Sequence, residues 1–158
     1  MEFETKVQFL TQPEHNRRTI VISDIHGHRA WLEKLLKKVD FSEKDILIIV
    51  GDMIEKGPES LNTIRYIMEL CEKYTVYPMM GNVDLWRIQM LLTEDGSLDQ
   101  ELYETNERMR QYWKATFFQD FCREAGVSVK TPEEIPAARE AVIAKFQKEL
   151  TFMKELPT

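Results

Sequence analysis

Four residues of this sequence have the types and spacing to do metal chemistry: Asp24, His26, Asp52 and Asn82. In an extended chain, residues two apart project to one side, so Asp24 and His26 can grip one ion while Ile25 turns toward a core. Asp52 has two carboxylate oxygens and can bridge two cations, and Asn82 adds a neutral carbonyl oxygen. Such mixed oxygen and nitrogen ligation suits manganese, iron or zinc. Singly, none of the four is diagnostic. An Asp at a strand-to-helix turn commonly caps the helix, a lone histidine is commonly structural, and an Asn often occupies a left-handed turn. The spacing is what binds them into a set: 28 positions separate Asp24 from Asp52 and 30 separate Asp52 from Asn82, about one β-α repeat.

The elements that must position them are legible around each residue. Thr19-Ile20-Val21-Ile22-Ser23 is a β-branched run without alternation, which fits a strand buried on both faces, and it ends at Asp24. From Arg29 to Val39, Trp31, Leu32, Leu35, Leu36 and Val39 recur at helical spacing. Asp45 to Val50 is a second buried-strand run, ending at Gly51-Asp52. Pro58 opens a second helix with Leu61, Ile64, Ile67, Met68 and Cys71 on one stripe, closing near Lys73. Tyr74 to Met80 is a third strand, ending at Gly81-Asn82. This β-α-β-α-β order predicts an α/β fold with a parallel sheet, all three strand C-termini on one edge, where open α/β sheets place ligands.

The chain divides into an arm over residues 1–18, an α/β core over 19–92 and a mostly helical segment of the same domain over 93–158. Leu98 to Ala125 reads as one long aromatic-rich amphipathic helix stopped by Gly126. Its Tyr112, Trp113, Phe117 and Phe121 read as ordinary core. Thr131-Pro132-Glu133-Glu134 has a capping-box pattern that starts a further helix through Ile135, Val142, Phe146 and Leu150.

The 158 residues suit one domain or part of a larger one. The net charge of −6 is distributed as −2 over residues 1–93 and −4 over 94–158, so no basic face suits a nucleic-acid duplex. An acidic surface repels polyanions, so a phosphate-bearing substrate must be drawn in by a local cationic site such as a metal. Cys71 and Cys122 are isolated in helical apolar patterns and read as buried thiols. No long apolar run and no leader pattern at Met1 direct the chain to a membrane, and a cytoplasmic location is expected.

With the motifs set out, a resemblance is plain. Asp24-Ile25-His26-Gly27, Gly51-Asp52-Met53-Ile54-Glu55-Lys56-Gly57 and Gly81-Asn82-Val83-Asp84 resemble, in order and spacing, the N-terminal motifs of calcineurin-type metallophosphoesterases of the phosphoprotein-phosphatase-like branch. The Lys56-Gly57-Pro58-x-Ser60-Leu61 ending is most similar to the symmetrical diadenosine tetraphosphate hydrolases. The resemblance covers about Thr19 to Trp86. It implies a dinuclear centre of two divalent ions, manganese first with iron or zinc as alternatives. Asp24 and His26 would hold one ion, Asp52 would bridge, and Asn82 would hold the other, with a metal-bound hydroxide attacking phosphorus. It further implies that Lys56, standing where the family usually has arginine, binds substrate phosphate, and gives Asp84 a catalytic role orienting a proton donor. That donor is a histidine in the family, and here its position is Val83.

Two departures qualify what is implied. Without a general acid at Val83, which contributes roughly 10²- to 10⁴-fold, activated esters and anhydrides are expected to be preferred over alkyl phosphates. The histidines are His15, His26 and His28, and the 130 residues after His28 contain none, whereas the family draws further histidine ligands from its C-terminal half. The expectation is that the chain is an N-terminal portion of a longer phosphoesterase. The function expected is metal-dependent hydrolysis of a phosphate monoester or nucleoside polyphosphate, from a nucleotide or phosphoprotein substrate. A catalytically incomplete binding or regulatory module is the alternative.

Overall fold

The computed structural model describes residues 17–92 and 114–158. The expected parallel order is observed. Strands β1 (Thr19–Ile22), β2 (Ile46–Val50) and β3 (Thr75–Met79) form a sheet in the order β1-β2-β3, both pairings parallel. Helix α1 (Arg29–Lys38) connects the first two strands and α2 (Ser60–Lys73) the second and third. Right-handed crossovers in one direction put both helices on one face of the sheet. Pro78 lies in β3, which flanks the sheet, where a missing N–H breaks no inner ladder.

One expectation is corrected by this arrangement. The β1 and β2 runs do not bury both faces. Leu47 and Ile49 are fully buried toward the helices, but Val21 is 60% exposed and Val50 45% exposed on the other side. The continuous apolar run follows from strand identity, while the alternation in burial follows from helices covering one face only.

Helix α3 (Asn82–Leu92) leaves the end of β3. Beyond it come α4 (Thr116–Ala125), a short 3-10 turn at Pro132–Glu134, α5 (Ile135–Lys145) and α6 (Gln147–Glu155). The single helix expected over Leu98 to Ala125 does not run to its end unbroken. Ala115 is extended, and α4 starts at Thr116 because the Glu55 carboxylate accepts the Thr116 and Phe117 N–H groups, at 3.3 and 3.1 Å, and caps a new helix from a distant loop. The part of that expectation over 98–113, with Tyr112 and Trp113, lies outside the described residues, as do residues 1–16 of the arm. Gly126 ends α4 at φ +79°, as expected. The Thr131–Glu134 capping box forms, and the helix it opens is broken at Phe146 into α5 and α6.

These helices pack into one core with the α/β layer. Phe117, Phe118, Phe121 and Phe146 are buried among Leu61, Ile64 and Ile67 of α2. Asp120 of α4 returns the capping favour, accepting the Leu61 N–H at 2.8 Å in the first turn of α2. Arg65 of α2 pairs with Glu149 of α6 at 2.7 Å, and Met80 N–H donates to the Pro157 carbonyl at 2.7 Å, so the helical segment is fastened next to the end of β3. Cys122 is buried and Cys71 half-buried, and burial pushes both thiols up to about 11, as inert structural cysteines. Among the described residues no helix is long and apolar enough to cross a membrane.

Candidate metal centre

The loops after β1 and β2 continue the parallel ladder beyond the strands. Asp24 N–H donates to the Gly51 carbonyl, His26 N–H to that of Asp52 at 2.9 Å and Gly27 N–H to that of Met53 at 2.8 Å. The same loop receives Gly57 N–H on the His26 carbonyl at 2.8 Å and Glu59 N–H on that of Gly27 at 3.0 Å. Backbone pairing therefore fixes the first two motifs against each other before any side chain is considered.

Among the described residues, the non-glycine positions with positive φ are Asp24, His26, Asp40, Asp52, Glu55 and Lys56. All but Asp40 lie in these loops. Each such conformation costs of order 1–3 kcal/mol, and clustering of that strain marks a site whose geometry the rest of the fold enforces. The glycines explain how the loops close. Gly51 itself has φ +69°, and a Cβ on it would stand 2.5 Å from Gly81 N, so the second and third loops meet backbone to backbone.

The three side chains expected to bind metal from the first two motifs converge. Ligating atoms of Asp24, His26 and Asp52 all lie within 4.8 Å of one another. His26 Nε2 is 3.3 Å from Asp24 Oδ1 and 3.8 Å from Asp52 Oδ2. The buried ring of His26 has Nδ1 3.2 Å from the Ile54 carbonyl, a pairing that puts the proton on Nδ1 and leaves Nε2 beside the carboxylates as the acceptor of the Lys56 ammonium. The Ser23 hydroxyl donates to Asp24, and this bond, with His26 and Lys56 nearby, holds the Asp24 carboxyl below the usual range. It is therefore ionised when a ligand must be. Two carboxylates and an imidazole with a fixed tautomer are a donor set that fits a divalent metal.

Asn82 opens α3 at the end of β3 and is exposed. The next residue ties this third motif to the second, since Val83 N–H donates to Asp52 Oδ1 at 3.3 Å. Lys56 lies in the same pocket wall, its Nζ 2.7 Å from His26 Nε2. Asp84 is fully buried and faces away from solvent into the loop junction. Its Oδ1 accepts the Met53 and Ile54 N–H groups at 2.9 and 3.1 Å, and its Oδ2 accepts that of Gly81 at 2.9 Å. One carboxylate thus clamps the loop bearing Asp52 to the loop bearing Asn82. Burial pushes its carboxyl up to about 6, with the three N–H donors opposing.

Sequence reasoning missed Glu55 and Ser60. The Ser60 hydroxyl accepts Glu55 N–H at 3.1 Å, while the Glu55 carboxylate pairs with Arg87 of α3 at 3.3 Å and caps α4. Glu55 so links the loop that carries Asp52 to two helices. Its only signal was its place between the motif residues Asp52 and Lys56.

Comparison with known proteins agrees with this arrangement. The model of the calcineurin-like phosphoesterase family matches residues 17–136. A symmetrical bis(5'-nucleosyl)-tetraphosphatase of Shewanella loihica is 46% identical over 68 residues, covering 42% of this chain and 24% of that protein. The enzyme of that name from Buchnera aphidicola subsp. Schizaphis graminum is 45% identical over 65 residues (40% of this chain, 23% of the relative). The Coxiella burnetii (strain Dugway 5J108-111) protein is 34% identical over 92 residues (58% and 30%). The matches thus span less than a third of the length of these relatives. A solved structure described as a candidate diadenosine tetraphosphatase superposes with a TM-score of 0.52 at 24% identity, covering 92% of this chain and 46% of that one, and bears on the fold alone.

Proposed function

The chain belongs to the calcineurin-like phosphoesterase family, and from that premise we propose that it carries the metal-binding half of a hydrolase acting on phosphoric ester or anhydride bonds, with a nucleoside polyphosphate as substrate. The observation that carries this reading is the convergence of Asp24, His26 and Asp52 within 4.8 Å at the C-terminal edge of a parallel sheet. The relatives' names tilt the substrate to nucleotides over phosphoproteins.

In this reading Asp24, His26 and Asp52 would hold divalent metal, with Asn82 contributing to a second ion, manganese being the first candidate. Divalent ions supply positive charge for phosphate oxygens and lower the pKa of water. The chain's own groups do the rest. The Ile54 carbonyl holds the His26 tautomer, and Ser23 keeps Asp24 ionised. Lys56 adds a cation for substrate phosphate, as a point charge without the bidentate fork of arginine. Asp84 is a positioning residue that acts through the loops it joins. Val83 offers no proton to a leaving group, which favours substrates whose leaving groups depart as stable anions.

The test is manganese-dependent hydrolysis of diadenosine tetraphosphate and of p-nitrophenyl phosphate by the purified chain, with Asp52→Asn alongside. Metal-dependent turnover lost in the variant supports the proposal. Turnover that survives both a chelator and Asp52→Asn overturns it.

A further inference from the structure

Beside the candidate metal centre is a cavity of about 420 Å³, within the range of roughly 300–1,000 Å³ typical of small-molecule sites. Its polar end is formed by Asp24, His26 and Lys56, and its other wall by Ile22, Trp31 and Leu35. Trp31 is the unusual member. It lies on α1, whose Leu32 and Leu36 are buried at 3% and 4% exposure, yet Trp31 is 71% exposed. Its indole is stacked on the His28 ring, centroids 5.2 Å apart and planes at 29°. His28 belongs to the turn that carries His26, so the metal-bearing loop itself steadies the indole. The indole is thus held on one side by His28 while most of its surface remains unburied, an uncommon placement for a tryptophan.

We propose that Trp31, supported by His28, is a stacking platform for the base of a nucleotide whose phosphate lies at the Asp24–His26–Lys56 end. This rests on the reading above that the metal end takes phosphate. The cavity's composition selects the occupant: a charged end for phosphate is continuous with an aromatic and aliphatic wall, and a base has a π-face where a phosphorylated serine or a sugar phosphate has none. Ile22 and Leu35 carry no hydrogen-bonding group and the Ser23 hydroxyl is given to Asp24, so recognition is by stacking and tolerates any base, as stacking platforms do.

Binding of AMP and of ribose 5-phosphate to the full chain in excess divalent metal, measured by calorimetry, tests the proposal. Stacking of one base predicts AMP binding roughly ten- to a hundredfold tighter than ribose 5-phosphate. Trp31→Ala should bring that ratio near one, Trp31→Phe should retain most of it, and GMP should behave like AMP. Equal binding of AMP and ribose 5-phosphate by the unmodified chain, or an AMP preference that persists in Trp31→Ala, overturns the platform. The phosphoesterase reading fails separately: base-dependent binding would then persist while neither diadenosine tetraphosphate nor p-nitrophenyl phosphate is hydrolysed.

Discussion

Gly81→Ala is expected to damage the site through Asp52, although Gly81 has no functional group. A Cβ at Gly81 would collide with Asp52 Oδ1, stand 2.5 Å from Asp52 N and 3.1 Å from Gly51 C. Two of the three obstacles are backbone, so no flexible side-chain tip can swing aside. Non-bonded heavy atoms sit comfortably at roughly 3.5 Å, so the two loops must part by about 1 Å. Overpacking of this kind costs roughly 1–3 kcal/mol of stability, and displacing a reacting or ligating group by about 1 Å costs on the order of 10²-fold in rate. The useful control is Gly126→Ala. Gly126 also has positive φ, at +79°, but an added Cβ there meets nothing within 4 Å. That variant should lose roughly 1–2 kcal/mol from left-handed strain alone. Urea unfolding of both variants, with calorimetric metal titration, separates the two effects. Gly81→Ala should lose metal affinity and hydrolysis where Gly126→Ala keeps both. If the two variants bind metal equally well, the claim that the Gly81 contact positions Asp52 is wrong.

Three further outcomes follow from named contacts. Asp84→Ala leaves the Met53, Ile54 and Gly81 N–H groups without an acceptor; after relief of the carboxylate's own burial the net loss should be about 2–4 kcal/mol in urea unfolding, with Asp84→Asn intermediate because its oxygen can still serve Met53 and Ile54. Val83→His should raise hydrolysis of alkyl phosphates relative to aryl phosphates, within the roughly 10²- to 10⁴-fold range of general acid catalysis, and an unchanged ratio would remove Val83 as the cause of any leaving-group preference. The third concerns acid stability: Arg18 holds the Asp45 carboxyl at about 2, below its ordinary 3.8, so the stability this pair contributes is complete above about pH 4 and is lost as pH falls toward 2. Asp45→Asn should therefore flatten the acid limb of a stability profile over that window, and an unaltered slope would exclude the pair as its origin.

The α/β half was legible because its determinants are local and repeated. Strand-forming runs ending in Asp24, Asp52 and Asn82, separated by helices with one apolar stripe, leave few topologies other than β1-β2-β3 in parallel. The convergence of Asp24, His26 and Asp52 was legible for the same reason, since strand ends define a place as well as a residue type. What stayed hidden was set by contacts distant in sequence. The start of α4 at Thr116 depends on a carboxylate about sixty positions earlier, Glu55. The break at Phe146 falls within a pattern whose apolar spacing continues through it, and nothing in that spacing marks the bend. The left-handed conformations of Glu55 and Lys56 carry no sequence signal, because neither is a residue type that favours positive φ; they are imposed by backbone pairing between loops. Asp84 reads as an accessory to catalysis from its motif, and only the three N–H groups around it reveal a clamp.

The central claim is that Asp24, His26 and Asp52 form a metal site with the third motif alongside, and equilibrium metal binding to the purified chain tests it most directly. Manganese or zinc should bind stoichiometrically, with affinity falling at least about a hundredfold in Asp52→Asn, at or beyond the upper end of what even outer-sphere partners of a metal site contribute. Affinity unchanged by Asp52→Asn, or absence of any bound divalent ion in the unmodified chain, would contradict the account.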